Sequence, residues 1–232
     1  MPDLTLDRHD AVATLTLNRP QRRNALSDAL LDRLAGACAE LREDASTHVV
    51  VLTGAPPVFS AGADAGLRAS MSLDEQRQAF AATRTNFLPL FCRVLEALEG
   101  LPQATIAMIN GHAVGGGWAL TLACDFRFAS AEARFWIPEV DLGIPLAAEM
   151  TARFVRLAGP ARAKEIAMEG RRYAADEVRD LGLVHRVVPA GGLAAAVHAY
   201  AATLAGKPFA ALAETKARVD RLAPIALAPP SG

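Results

Sequence analysis

The sequence predicts an α/β fold with a helical C-terminal region, and three features carry that expectation. Runs rich in strand formers recur at Val12–Leu17, Val49–Gly54 and Ala104–Ile109. The second and third runs are apolar at nearly every position, as strands covered on both faces of a parallel sheet are. Beyond Pro160, helical stretches separated by glycines replace the strand runs.

The first run stops at Asn18-Arg19-Pro20, because a proline restricts the residue before it. Ser27 is placed to cap a helix through about Leu41, with Leu30, Leu31, Leu34, Cys38 and Leu41 on one face. With the strand at Val49–Gly54 this makes a strand-helix-strand crossover. After a Pro- and Gly-rich segment over 54–66, Ser72-Leu73-Asp74-Glu75 reads as a capping box. Its helix is expected to run to Pro89, with a second piece to Leu98. Pro102 precedes the third strand, which leads into Gly111 to Gly117 and a short apolar helix from Trp118 to Ala123. Residues 125–129 and 134–137 read as short strands. Pro160 sits where an N1 proline would, and Gly182 and Gly191-Gly192 separate further helices. Ala194 to Ala205 favours helix but offers little side-chain area, which suits close contact with a neighbouring element. A frayed tail is expected at 228–232.

At 232 residues the chain should bury roughly 70% of its unfolded surface, enough for one main core. Its 24 Lys and Arg against 25 Asp and Glu give no bulk electrostatic case for nucleic acid or an anionic membrane. Cys38, Cys92 and Cys124 are far apart and lack metal spacing, so each reads as a small core side chain in a reducing compartment. No leader pattern or membrane-length apolar run is present in the sequence, and the expected location is cytoplasmic.

Three segments carry chemical information. In Phe59-Ser60-Ala61-Gly62-Ala63-Asp64 the small residues leave the backbone open, so the Ala63 N–H can face a ligand; otherwise this is a tight turn in which Asp64 caps local groups. In Gly115-Gly116-Gly117-Trp118, successive glycines after an apolar strand permit unusual dihedrals, and the following helix aims its first N–H groups at developing negative charge. The spacing fits neither a dinucleotide fingerprint nor a P-loop. In Trp136-Ile137-Pro138-Glu139, bulky apolar neighbours can desolvate Glu139 and raise its pKa, whereas the alternative is a surface or cap glutamate. Asp141 reads as structural, with an arginine such as Arg153 as its partner.

Taken together with Asn18-Arg19-Pro20, Asn24-Ala25-Leu26-Ser27, Ala123-Cys124-Asp125, Leu142-Gly143, Ala174 to Val178 and Leu181 to Val184, these segments make residues 4 to 222 resemble the crotonase (enoyl-CoA hydratase/isomerase) family. The resemblance implies a spiral of ββα units over residues 1–190 and a shortened helical region over 191–232. It implies an acyl-CoA thioester substrate, with coenzyme A as part of the substrate, no permanently bound cofactor and no metal. It also implies self-association as a trimer or dimer of trimers, without nucleic acid or membrane insertion. Carried over residue by residue, the oxyanion donors would be the N–H groups of Ala63 and Gly116, and Glu139 the acid–base carboxylate. The CoA-binding loops would fall at Arg22, Arg23, Asn24 and Ala25 and at Ala61, Gly62, Ala63 and Asp64, while Trp118 either narrows the acyl pocket or fills core space.

The chain departs from a family hydratase in one respect above all. Hydratases of the family carry a second glutamate three residues after the oxyanion glycine, where this chain has Ala119, which cannot exchange a proton. Isomerases of the single-carboxylate type keep only the match to Glu139, so the substitution shifts the expectation from hydration toward double-bond migration. A hydratase, or an acyl-CoA-binding protein with weak catalysis, are the alternatives. Glu149 stands where many relatives have a glycine and is a candidate second acid–base residue, or else a favourable charge in a helix's first turn. Relatives usually run farther, with late helices that complete the CoA site, so that part of the resemblance carries over less fully.

Overall fold

The computed structural model describes residues 2–66 and 70–225, so the expected tail at 228–232 lies outside the described residues. The chain runs β1 (Leu4–His9), β2 (Val12–Leu17), α1 (Asp28–Glu43), β3 (Val49–Gly54), α2 (Leu73–Glu99), β4 (Ala104–Ile109), β5 (Ala113–Val114), α3 (Gly116–Leu122), β6 (Phe126–Ser130), β7 (Arg134–Trp136), α4 (Ala148–Glu169), β8 (Tyr173–Ala174), α5 (Ala175–Asp180), β9 (Arg186–Val188), α6 (Leu193–Ala205) and α7 (Phe209–Leu222).

The main sheet has the order β1-β2-β3-β4-β6-β9, parallel except for the antiparallel β1-β2 pair. The strands β5, β7 and β8 make a second, smaller sheet. Each turn of the chain thus lays a long strand in the first sheet, then a short one in the second, then a helix: β4-β5-α3 and β6-β7-α4 repeat the pattern. This is a spiral of ββα units. After β3 the short strand shrinks to a single parallel bridge between Ser60 and Ala113.

Strand alternation divides the core between the two faces of the main sheet. Val50, Leu52, Ala107 and Ile109 join α1 and α2 in the larger cluster. Val49, Val51, Ile106 and Phe128 face the other way, where Leu193, Val197 and Ala201 of α6 cover them. The alanine-rich segment therefore does make the close contact its composition favours. By contrast, α7 buries no residue and is held by the Lys216–Asp125 pair at 2.8 Å, the Arg156–Asp220 pair at 2.9 Å and stacking of Phe209 on His48.

Local signals hold in most places. Ser27 Oγ accepts from the Leu30 N–H at 3.3 Å, and Ser72 with Glu75 forms the capping box. Gly159 leaves the helical conformation inside α4, so Pro160 starts a fresh helical piece as an N1 proline. Pro89 differs from expectation: α2 passes through it without a break. An internal proline costs about 3 kcal/mol. Phe87, Phe91, Val94, Leu95 and Leu98 lie on one buried face spanning that position, and each such side chain contributes roughly 1.5–3 kcal/mol on burial, which outweighs the defect. Arg153 is also not the partner of Asp141, since its Nε and Nη2 donate to Glu99 at 2.8 and 2.6 Å and its Nη1 to the Glu149 carbonyl at 2.8 Å. Among the described residues no helix is long and apolar enough to cross a membrane.

Candidate active site

Two backbone segments are zipped side by side after β3 and β4. The Phe59 and Ser60 N–H groups donate to the His112 carbonyl at 3.1 and 3.2 Å, and the Val114 N–H donates to the Ser60 carbonyl at 3.0 Å. At their closest point stands Gly62, with φ +82°, where a Cβ would lie 2.6 Å from the Val114 oxygen and 3.4 Å from the Gly116 nitrogen. Only glycine allows both the conformation and the approach.

That approach aims two N–H groups. The Leu26 N–H donates to the Gly62 carbonyl at 2.8 Å and the Asp64 N–H to the Leu26 carbonyl at 3.1 Å, a parallel bridge. In such a bridge the N–H of the residue between, Ala63, points away from Leu26. Gly116 is the first residue of α3, whose N–H has no intrahelical acceptor. Ala63 and Gly116 line the same cleft.

The second sheet delivers the carboxylate. Pairing of Val114 with Trp136 and the bond from the Gly115 N–H to the Trp136 carbonyl at 3.0 Å place the end of β7 beside the glycine run. Three residues on, Glu139 is 5% exposed, and a Cβ on Gly115 would lie 3.1 Å from its Oε1. The turn that holds it closes through bonds from the Leu142 and Ile144 N–H groups to the Glu139 carbonyl, at 3.1 and 2.9 Å. Arg77 of α2 fastens the same turn by donating Nε to the Leu142 carbonyl at 2.7 Å. Ala63, Gly116 and Glu139, 76 positions apart at the extremes of the chain segment, share one cleft walled by Phe80, Phe87, Leu88, Ile144 and Met150.

A buried polar scaffold supports the first donor. Asn24 is wholly buried in a left-handed conformation, donates to the Ala55 and Val58 carbonyls at 2.7 and 2.8 Å, and accepts from the Arg19 N–H at 2.9 Å. The Ser60 hydroxyl donates to the Asn24 carbonyl at 2.8 Å. Asp64 receives Arg19 at 2.8 Å and Arg22 at 2.9 Å, and Arg19 also donates to the Ala25 carbonyl at 2.6 Å. Burial pushes the Asp64 carboxyl up, but the hydrogen bonds and charges of Arg19 and Arg22 outweigh it and hold it below the usual carboxylate range.

The expected CoA-loop residues gather on this rim, with Arg22 and Arg23 exposed, Ala61 tied to the Arg23 carbonyl at 2.9 Å and Ala25 buried. Arg22 is engaged with Asp64, which makes both anchors of the loop. Trp118 requires correction: it is fully buried away from the cleft, against Phe135, Phe154 and Tyr173, because its side of α3 faces the core. Ala119 is equally buried. Glu149 lies in the first turn of α4 but does not line the cleft, which takes Ala147 and Met150 from that stretch instead. Its charge faces α2, where, after burial, it is a further cause of the rise of the Cys92 thiol to about 11. Burial likewise holds Cys38 and Cys124 at about 12, so none of the three is a poised nucleophile. The cleft walls on α2 and the Arg19–Asp64 clamp were not singled out from sequence; helix-face spacing of Phe80, Phe87 and Leu88 reads only as core.

Comparison with known proteins agrees with this geometry. The family model for enoyl-CoA hydratase/isomerase matches residues 7–228. The 2,3-dehydroadipyl-CoA hydratase of Escherichia coli is 37% identical over 189 residues, 82% of this chain and 70% of that protein. The crystal structure of an enoyl-CoA hydratase from Bacillus anthracis superposes with a TM-score of 0.83 at 38% identity, covering 94% of this chain and 83% of that one. A monofunctional enoyl-CoA isomerase from M. smegmatis superposes with a TM-score of 0.78 at 32% identity, covering 94% and 91%. With an open pair of backbone donors, a buried carboxylate beside them and these matches along nearly its whole length, the chain belongs to the enoyl-CoA hydratase/isomerase family.

Proposed function

We propose that this enzyme moves the double bond of an enoyl-CoA thioester from the 3,4 to the 2,3 position. Glu139 takes a proton from C2, the Ala63 and Gly116 N–H groups hold the thioester oxygen of the resulting dienolate, and Glu139 returns the proton to C4. Two fixed donors stabilise the charge that develops in the transition state more than the ground state, and each is worth roughly 3–4 kcal/mol. One observation carries the reading: among the described residues, Glu139 is the single ionisable side chain lining the cleft that holds both donors. One base suffices for a proton shuttle, whereas hydration must deliver a proton to one carbon and activate water at the other.

The hydratase reading has a specific observation behind it too, since most of the similar proteins carry hydratase names. Purified protein incubated separately with matched 3-enoyl- and 2-enoyl-CoA series distinguishes them. Isomerisation leaves mass unchanged and shifts retention, hydration adds the mass of water, and neither product with retained binding would mean an acyl-CoA-binding protein. The proposal extends to a cytoplasmic trimer or dimer of trimers with contacts from the segment after Pro160, which exposes Met168. A stable monomer in sedimentation at micromolar concentration would overturn that part.

A further inference from the structure

A second cavity, of about 400 Å³, lies under α7, between it, the first half of α4 and the start of β6 in the main sheet. Its floor is apolar, with Leu122, Phe126, Leu157, Leu204 and Leu212 among its walls. Four cations and three carboxylates also line it. The carboxylates are all taken: Glu99 by Arg153 at 2.6 Å, Asp220 by Arg156 at 2.9 Å and Asp125 by Lys216 at 2.8 Å. Arg127 is the cation left over.

Arg127 is 3% exposed and has no carboxylate partner among the described residues. Its Nε donates to the Leu183 carbonyl at 2.8 Å and its Nη1 to the Cys124 carbonyl at 2.5 Å, which fixes the guanidinium plane. Its Nη2 has no acceptor among the described residues and is not sealed from the cavity that the side chain lines. A buried guanidinium with an open edge is a costly arrangement, since burial lowers its pKa to about 10 and favours an anion beside it. A second donor stands on the same wall. His185 Nδ1 accepts the Arg127 backbone N–H at 3.1 Å, so the ring hydrogen sits on Nε2. Burial, then the charges of Arg127 and Arg186, lower the His185 pKa to about 4, which keeps it in that neutral form.

We infer that this cavity is a binding site, separate from the reaction cleft, for an amphipathic monocarboxylate: an unbranched alkanoate whose chain fills the apolar floor and whose carboxylate meets Arg127 Nη2 and the His185 Nε2–H. One excess positive charge matches one carboxylate, and the cavity falls within the lower range of small-molecule pockets. It shares none of its lining residues with the cleft that holds Glu139.

Calorimetric titration of the intact protein with octanoate, octanol and octylamine tests this. Octanoate should bind at least about tenfold more tightly than octanol, and octylamine should not bind. Val219→Trp, at a 57% exposed position on the cavity wall, should abolish octanoate binding while leaving the fold and CoA-ester turnover intact. Arg127→Lys keeps the charge but loses the open Nη2 and should weaken octanoate at least about tenfold with octanol unchanged. Octanoate binding should survive Glu139→Gln and saturation with CoA ester. Equal binding of octanoate and octanol, competition with the CoA ester, or indifference to Val219→Trp would each overturn the assignment.

Discussion

The reaction cleft and the cavity under α7 differ in how they treat charge. Around the α7 cavity seven charged side chains converge, yet every carboxylate meets a cation within 3 Å, so none is placed to move a proton. The cleft has a single carboxylate among the described residues, set beside two backbone N–H groups on apolar walls. Room and charge count therefore point to the α7 cavity, while chemistry points to the tighter one. What separates them is the origin of the polar groups: paired side chains satisfy one another, whereas Ala63 and Gly116 present backbone donors for which the fold supplies no acceptor among the described residues. Such preorganised donors are what a developing oxyanion requires.

Substituting the cleft carboxylate should have the largest effect. Glu139→Gln is expected to lower turnover by about 10² to 10⁴ while CoA-ester affinity, measured by direct titration, stays within a few fold. Glu149→Gln is the internal contrast and should change turnover by less than about twofold, since a first-turn charge adds only to local helix electrostatics. Equal, large losses in both would place Glu149 in the chemistry after all.

Gly62→Ala tests whether the backbone donors matter as much as the carboxylate. Its methyl group would press on the Val114 carbonyl from 2.6 Å and force the two segments apart. Turnover should fall by about 10² to 10³, as for loss of one oxyanion donor, with Glu139 untouched. Full activity would mean that the two segments can separate without cost to the reaction.

Asn24→Ala measures the scaffold beneath that donor. The substitution leaves the Ala55 and Val58 carbonyls and the Arg19 N–H without their side-chain partner in a buried site. Unfolding free energy from urea titration should drop by about 1–3 kcal/mol, with activity falling only as Ala63 loosens. No change in the urea midpoint would show that water satisfies the three groups.

The smallest effect belongs to the α7 side. His185 has its pKa lowered to about 4 from the ordinary 6.5, so between those values the unfolded chain binds the proton more readily than the folded one. Its contribution to stability is present above pH 6.5 and is lost as pH falls toward 4. Wild-type protein should lose more unfolding free energy than His185→Gln between about pH 7.5 and about pH 5. Parallel pH dependence in the two proteins would show that the ring is not held neutral by the fold.

Much of the fold was legible locally because its signals are local. Ser27, the Ser72–Glu75 box and the continuous apolar runs of β3 and β4 act within a few residues of where they are read. Pro89 misled because its cost is local whereas the burial that offsets it is tertiary. Trp118 stayed open between pocket and core for a related reason: its place two positions after Gly116 in sequence says nothing about which face of α3 turns toward the core. The glycine run, the small residues before Asp64 and the Pro138-Glu139 step carried the resemblance that pointed to the family, because each is a short local pattern, and the fold brings Ala63, Gly116 and Glu139 from those segments into one cleft. Only the tertiary structure decided that Glu149 stays out of the cleft, that Arg19 and Arg22 clamp Asp64, and that Arg127 opens onto a second cavity. Those outcomes depend on residues tens of positions apart meeting through sheet pairing and helix packing, and no local pattern encodes the meeting.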